Sequence, residues 1–372
     1  MAKSKLKNSS PDFILIAVVA ILTIFGLVML SSASSDIARA RFGDSYHYLK
    51  HQMMNGLAFG IAGFIIGAYI SMRFLEKIAL PLFILGIVLA IMVFIPQLNT
   101  GVRSVTGAER WLNLGFFSFQ PGEFMKLSIL LFIAAWVAKK KERTQNFARG
   151  FVPFLCLLGI PALLLFLQPA MTIAVILACA ALTEYFAAGA KARFLLISAF
   201  LGIAAIAIFV FTTPYRITRI IGYFNPESDP RDKTYQINQS LMAIGSGGFS
   251  GVGFGNSTTK LKYLPEPMGD SIFAVAAEEF GFIGAMGIVT LFGVFVWRGL
   301  LIAKKTRDGF SRSLAFGFTS LIGIQAFVNV AAVSGVIPFT GVPLPFISYG
   351  GTALAVFLTM SGILVNISRN RQ

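Results

Sequence analysis

The chain has 372 residues, of which 56% are hydrophobic and only 13% are charged, and its formal net charge is +15. Soluble domains carry roughly 25% charged residues, so this composition excludes an ordinary soluble protein. We expect an all-α polytopic membrane protein that forms a single integral membrane domain over residues 1–372. The positive charge follows the expected membrane topology and does not indicate binding to nucleic acid.

Apolar runs recur along the whole chain, and a membrane-spanning helix needs about 20 mainly apolar residues. The sequence predicts about ten transmembrane helices, near residues 13–32, 53–70, 78–96, 122–138, 151–167, 171–189, 194–212, 271–297, 313–336 and 351–367. Most Lys and Arg residues, 19 of 31, lie on the side that carries the N-terminus. The positive-inside rule therefore places both termini, including the 1–11 tail, in the cytoplasm.

Three polar stretches are then predicted on the opposite, extracytoplasmic side. They are residues 97–122, a large extracytoplasmic loop (213–270) between helices 7 and 8, and the Pro- and Gly-rich run Pro338–Gly351. Irregular backbone near a membrane is tolerated where protein or a water-filled cavity covers it. We expect the three stretches to converge on one outward-facing cavity.

Other features favour neither a metal site nor a nucleotide site. His47 and His51 are expected in a loop with no third ligand. Cys156 and Cys179 lie inside apolar runs, so they indicate neither a disulfide nor a metal site. The glycines of 245–255 look like a phosphate cradle, but no strand precedes them and they face outward, so we expect no nucleotide cofactor.

Asp270 ends the large loop, in Leu264-Pro-Glu-Pro-Met-Gly-Asp270, and an apolar run follows at once. A carboxylate at the edge of the membrane is costly to desolvate, which makes it a functional candidate. A helix N-cap is the alternative, because Asp caps well. At 100° per residue, Glu278 and Glu279 lie about 80° and 180° around a helix from Asp270, so we expect structural roles for both.

Four blocks of sequence resemble the SEDS family (shape, elongation, division and sporulation), ten-span cell-wall glycosyltransferases that include RodA and FtsW. The blocks are Arg110-Trp111 with Phe119-Gln-Pro-Gly-Glu-Phe-Met-Lys126; Asn225-Pro226 through Tyr263-Leu-Pro-Glu266 to Asp270; Ala276–Gly284; and Gly341–Gly351. Ser31–Ser35 and Gly255-Asn-Ser257 are most like the FtsW cell-division branch. Gln168-Pro-Ala170 departs from the family, which often has an acid after the proline, so no role for that acid is carried over.

The resemblance implies a peptidoglycan glycosyltransferase that polymerises lipid II, the undecaprenyl-pyrophosphate disaccharide-pentapeptide, during septal cell-wall synthesis and cell division. Such a reaction inverts the sugar in one displacement, and Asp270 is the candidate general base. Lys126, paired with Glu123 three residues earlier, is a candidate to bind the leaving diphosphate; a charge-neutralising ion pair is the alternative. A divalent cation (Mg²⁺ or Mn²⁺) is another source of positive charge, with ligands unknown.

The remaining substrate-binding candidates are Arg110, Arg216, Arg219, Glu266, Ser348 and Tyr349. For the three arginines, a plain interfacial anchor is the alternative. In the sequence neither hydroxyl has a neighbouring His or Lys, so we expect neither Ser348 nor Tyr349 to act as a nucleophile.

The resemblance also implies partners and a location. The partners are a class B penicillin-binding protein transpeptidase and other divisome membrane proteins. The location is the bacterial cytoplasmic (inner) membrane at the division septum. A lipid II flippase is the alternative function, and a recruiting scaffold is a third. Within the predicted spans, ionisable residues concentrate toward the outward side, with Glu184 the main acid toward the inner half, which weighs against a polar route across the bilayer.

Overall fold

In the computed structural model, the structure describes residues 10–95, 110–113, 115, 118–139, 144–211 and 235–369. This part of the chain is nearly all helix, with one short antiparallel hairpin of β1 (Leu112–Asn113) and β2 (Ser118–Phe119). The helices are, in order, α1 (Phe13–Phe42), α2 (His47–Gln52), α3 (Phe59–Tyr69), α4 (Met72–Met92), α5 (Pro121–Ala138), α6 (Val152–Leu167), α7 (Met171–Ala187), α8 (Ala192–Phe211), α9 (Tyr235–Ser246), α10 (Thr259–Lys262), α11 (Ile272–Lys305), α12 (Gly309–Val333) and α13 (Gly351–Arg369). The π-helical turns Met53–Ala58 and Phe147–Phe151 lead into α3 and α6.

The positions of these helices confirm the predicted fold class. Among the described residues, eight helical stretches are long and apolar enough to cross a membrane. Two shorter apolar helices, Met171–Ala187 and Ala192–Ile208, coincide with the sixth and seventh predicted spans. The cytoplasmic location of the termini stays a prediction. Of the predicted 213–270 loop, residues 213–234 lie outside the described part, and the rest carries α9 and α10.

Two predictions near the N-terminus were wrong. The first span was expected to end near residue 32, but α1 continues to Phe42 and ends at Gly43, whose φ is 72°. The length of an apolar run indicates how much of a helix lies within the bilayer. The helix itself continues beyond that run as long as its backbone hydrogen bonds are satisfied. His47 and His51 were expected in a loop, but both lie on α2, one turn apart.

The closest helix packing is between α3 and α13. Glycines at the contact present no side chain to α13; they are Gly56, Gly60, Gly63 and Gly67. On α13, Gly362 meets the backbone of α3, and a Cβ placed there would lie 2.8 Å from the carbonyl carbon of Phe64. Small residues let helix backbones approach in lipid, where van der Waals packing replaces the hydrophobic effect. This pair of helices forms one wall of the cavity described below.

A buried ion pair ties the start of α1 to α11. Asp12 is the N-cap of α1, and its carboxylate accepts a hydrogen bond from Leu15 N. The same carboxylate pairs with the Arg298 guanidinium at 2.6 Å. Pairing both charges lowers the cost of keeping them at the end of the helical bundle.

We predict that Gly362→Ala destabilises the protein, because the added methyl group meets backbone atoms that cannot rotate away. The expected loss is about 1–3 kcal/mol in the free energy of unfolding. Thermal unfolding in detergent measures it. Gly202→Ala in α8 is the matched control, since a Cβ at Gly202 meets nothing within 4 Å. Equal melting temperatures for the two variants would contradict the packing argument.

Candidate functional site

Asp270 lies between the end of the polar loop and the start of α11. The helix begins at Ile272 and its N-cap position is Ser271, so Asp270 precedes the cap. The side chain is half-buried, and a Cβ added at Gly341 would lie 3.2 Å from Asp270 Oδ2. The structure therefore does not support the N-cap alternative.

The segment before Asp270 is fastened to the Pro- and Gly-rich run, which we call the 341–351 segment. Asn329 Nδ2 on α12 donates to Asp270 O at 2.8 Å and to Val342 O at 2.7 Å. Tyr349 N donates to Met268 O at 2.9 Å, and Ser348 Oγ donates to Gly269 O at 2.6 Å. Two of the three stretches predicted to converge are therefore in direct contact.

Ser348 holds the loop that ends at Asp270. Its side chain is buried, and its hydroxyl accepts from Leu344 N at 2.8 Å while donating to Gly269 O. Both of these bonds are to backbone, so the hydroxyl holds the Asp270 loop in position, and a substrate contact by Ser348 stays a prediction. Glu266 has a positive φ of 47° and its carbonyl accepts from Gly269 N at 3.0 Å, which makes a tight turn before Asp270. A substrate contact by the Glu266 carboxylate stays a prediction.

Lys126 and Glu123 form a closed ion pair inside the helical bundle. The Lys126 Nζ to Glu123 Oε2 distance is 2.6 Å, and both side chains are 1% exposed. Lys126 Nζ also donates to Gln325 Oε1 at 2.7 Å, and Gln325 Nε2 donates to Pro343 O at 2.9 Å. Both charges are buried and paired, which favours the ion-pair alternative, and binding of the diphosphate by Lys126 stays a prediction. The pair supports the 341–351 segment through Gln325.

Of the three arginine candidates, Arg110 is the one that lies in the described part of the chain. Arg110 Nε donates to Gln168 O at 3.2 Å, and its Nη2 donates to Pro169 O. It therefore holds the turn between α6 and α7, and direct binding of substrate by Arg110 stays a prediction. Arg216 and Arg219 lie outside the described residues.

Glu278 and Glu279 have structural contacts, as expected. Glu278 accepts from Ser257 Oγ at 2.6 Å and from Thr258 N at 3.0 Å. Glu279 pairs with Lys260 Nζ at 2.8 Å, and that ammonium also donates to Ser32 Oγ at 2.7 Å. These contacts fasten the residues around α10 to the first turns of α11, directly after Asp270.

The glycine-rich run closes a break in α11. Gly281 has φ 66° and ψ −162°, a conformation essentially restricted to glycine, and it interrupts the helix. The freed peptide groups bond to residues 247–253, which we call the glycine clasp: Val252 N to Glu278 O at 3.0 Å, and Phe282 N to Gly248 O at 2.9 Å. Broken helices in a membrane need such substitute partners. The clasp, rather than a nucleotide, therefore explains these glycines.

The end of the 341–351 segment lines an apolar cavity of about 610 Å³. Polar groups at one end come from His51, Asn55 and Tyr349, and the apolar lining includes Phe59, Leu89, Leu127 and Val356. Trp111 and Phe119 from the hairpin region also line it. Burial raises the pKa of Tyr349 to about 12, so its hydroxyl stays protonated at neutral pH.

Sequence reasoning missed several residues that build this site. Asn329, Gln325 and Lys260 position the Asp270 loop and the 341–351 segment, and none was singled out. A signal was available for two of them, since Gln325 and Asn329 are polar side chains four residues apart in an apolar helix. Among the described residues, no three His, Cys, Asp or Glu side chains form a metal-ligand cluster. A divalent cation therefore stays a prediction, and no step below depends on it.

Comparison with known sequences gives matches over nearly the whole chain. The family model described as cell cycle protein, which groups FtsW, RodA and SpoVE, matches residues 12–372. A probable peptidoglycan glycosyltransferase FtsW from Geobacter sp. (strain M18) is 38% identical over 357 residues, which are 96% of each chain. Stage V sporulation protein E from Bacillus subtilis (strain 168) is 38% identical over 365 residues, which are 98% of each.

Solved structures give the same answer for the fold. A chain from a peptidoglycan synthase complex, described as showing structural coordination of polymerization and crosslinking, matches with a TM-score of 0.79 and 28% identity; the match covers 97% of this chain and 98% of that one. Rod shape determining protein RodA from Thermus thermophilus matches with a TM-score of 0.70 and 27% identity over 97% of both chains.

We predict that Gly281→Ala disrupts the break in α11. The backbone conformation excludes a Cβ, which would also lie 2.6 Å from Phe249 O in the clasp. The free energy of unfolding should fall by about 2 kcal/mol or more, measured by thermal unfolding in detergent. Gly287→Ala, six residues later on the same helix, is the control, because a Cβ there meets nothing within 4 Å. A stable Gly281→Ala variant would mean that the clasp is not needed.

Proposed function

The chain belongs to the FtsW/RodA/SpoVE family of cell cycle proteins, and from this premise we propose that it polymerises lipid II into glycan strands with Asp270 as general base. It is a membrane-embedded peptidoglycan glycosyltransferase, which is the activity given in the names of its FtsW relatives. The lipid II substrate and the role of Asp270 are the parts that we add. Septal location in the bacterial cytoplasmic membrane is also part of the proposal.

One observation carries the proposal: the 341–351 segment holds the loop that ends at the candidate base and also lines an apolar cavity. Its Tyr349 N and Ser348 Oγ hold the loop that ends at Asp270. Its Tyr349 side chain, Gly350 and Gly351 line the cavity. A lipid-linked sugar needs both features close together, an acid for the hydroxyl and an apolar space for the first isoprenoid units.

The chemistry fits a single displacement. Asp270 takes the proton of the acceptor's 4-hydroxyl, the hydroxyl oxygen forms the new bond to C1 of the donor sugar, and the bond from C1 to the diphosphate oxygen breaks. The anomeric carbon inverts, so an α-linked diphosphate gives a β-1,4 linkage. The diphosphate leaves as an anion without strong acid assistance, so one base suffices, unlike the two carboxyl groups of glycosidases.

A transpeptidase partner would complete wall synthesis. One similar solved structure is a peptidoglycan synthase complex that joins polymerization to crosslinking. We propose that this chain likewise acts beside a class B penicillin-binding protein, together with other divisome membrane proteins. The partner would cross-link the peptides of the strands that this chain extends.

The charges inside the bundle favour an enzyme over a lipid II flippase. A flippase needs a polar route across the bilayer, but the buried charges Lys126, Glu123 and Asp12 are closed into ion pairs, Asp12 with the partly buried Arg298. Glu184 is fully buried, and a Cβ at Gly317 would lie 2.6 Å from its Oε2. These positions offer no continuous path in the described part of the bundle.

We predict that Asp270→Asn lowers polymerisation by about 10²–10⁴-fold, because the amide cannot accept the hydroxyl proton. The measurement is the length distribution of labelled glycan made from lipid II by purified protein with its transpeptidase. Asp44→Asn is the control, since Asp44 is an exposed carboxylate that pairs with Lys50. Unchanged polymer from Asp270→Asn would remove Asp270 as the base, and wild-type protein that moves lipid II without polymerising it would favour the flippase.

A further inference from the structure

Three polar side chains form a hydrogen-bonded chain at one end of the apolar cavity. Tyr349 Oη lies 2.9 Å from His51 Nδ1, and Asn55 Nδ2 lies 2.9 Å from His51 Nε2. His51 and Asn55 are four residues apart on continuous helix, so they share one face. All three line the cavity.

The chemistry of these groups sets the direction of the chain. An amide nitrogen can only donate, so Asn55 Nδ2 donates to His51 Nε2. A neutral imidazole that accepts at Nε2 carries its hydrogen on Nδ1 and donates from there. His51 Nδ1 therefore donates to Tyr349 Oη, which leaves the tyrosine hydrogen available to a third group.

The groups that surround the Tyr349 hydroxyl favour an anionic ligand. The polar side chains that line the cavity are hydroxyl, amide, imidazole and indole groups, and the described lining contains no Asp or Glu. Donors without a competing carboxylate suit an anionic oxygen, and such charge-assisted bonds are about twice as strong as neutral ones. The apolar remainder of the cavity suits a hydrocarbon chain.

We propose that Tyr349 donates its hydroxyl hydrogen to a phosphate oxygen of an isoprenyl diphosphate bound in this cavity, with His51 and Asn55 as positioning residues. The inference rests on the proposed function, because lipid II carries such a diphosphate. It goes further by assigning the diphosphate to the His51 end of the cavity rather than to Lys126. Tyr349 then contacts the substrate through its side chain while its backbone N–H holds Met268 beside Asp270.

The test uses farnesyl diphosphate as a short isoprenyl diphosphate, with farnesol and inorganic pyrophosphate as the tail-only and head-only ligands. Titration calorimetry on purified full-length protein in detergent gives the Kd. Wild type should bind farnesyl diphosphate more tightly than farnesol. Tyr349→Phe should raise the Kd for farnesyl diphosphate about tenfold and leave that for farnesol unchanged.

Asn55→Asp tests the direction of the chain. With His51 neutral, a carboxylate at position 55 accepts from His51 Nε2–H, so Nδ1 becomes an acceptor and Tyr349 donates to His51 instead of to the ligand. The titration is run at a pH above that at which the paired imidazole protonates, because an imidazolium would still donate from Nδ1. The Kd for farnesyl diphosphate should rise about tenfold in the wild-type background. In the Tyr349→Phe background the same substitution should add nothing, because the donor is already gone. Simple charge repulsion by the new aspartate would persist in both backgrounds.

His51→Phe is the second variant, since it keeps an aromatic ring and removes the donor to Tyr349. It should weaken binding of farnesyl diphosphate in the wild-type background and not in Tyr349→Phe. His47→Phe is the matched control, because His47 lies one turn away, stacks on Phe42 with ring centroids 3.8 Å apart, and does not line the cavity. Unliganded melting temperatures confirm that each variant is folded.

Three results would overturn the inference: farnesyl diphosphate that binds wild type no better than farnesol, an unchanged Kd in Tyr349→Phe, or effects of Asn55→Asp and His51→Phe that persist without the tyrosine hydroxyl. Binding of farnesyl diphosphate requires no turnover. A failure of wild-type protein to polymerise lipid II would therefore refute the proposed function separately.

Discussion

The geometry of the site depends on one buried amide, the side chain of Asn329. It donates one hydrogen to Asp270 O and the other to Val342 O, so it sets the spacing between the end of the polar loop and the 341–351 segment. Both partners are backbone carbonyls of irregular segments outside the helices. In a membrane interior an unpaired carbonyl is costly, so each of these bonds resists displacement. The position of Asp270 is therefore set by hydrogen bonds to backbone atoms of its own loop and of the 341–351 segment.

A second layer of polar contacts supports that amide. Gln325, one turn earlier on α12, joins the Lys126–Glu123 ion pair to Pro343 O. The ion pair is thus connected to the 341–351 segment through Gln325.

The sequence predicted the helical fold well and the site in part. Apolar runs long enough to cross a bilayer have few alternatives to helix, so the predicted spans and the described helices coincide. The contact between the Asp270 loop and the 341–351 segment was also expected. The orientation of side chains was not, because Ser348 and Lys126 are polar residues near a polar stretch, and sequence alone cannot tell a buried support from an exposed contact. Their partners, Gly269 O and Gln325, are 79 and 199 residues away.

The break at Gly281 was hidden for a different reason. A lone glycine in an apolar run reads as a packing residue, and only the clasp opposite it shows that the helix is interrupted.

This break has a consequence for how the chain tolerates change in length. Residues 248–253 and 278–283 bond in a fixed register, and Glu278 and Glu279 extend that register to Ser257 and Lys260. An insertion or deletion between residues 253 and 257 would pull one set of bonds out of alignment with the other, whereas lipid-facing turns such as those around Gly202 have no such partner to lose.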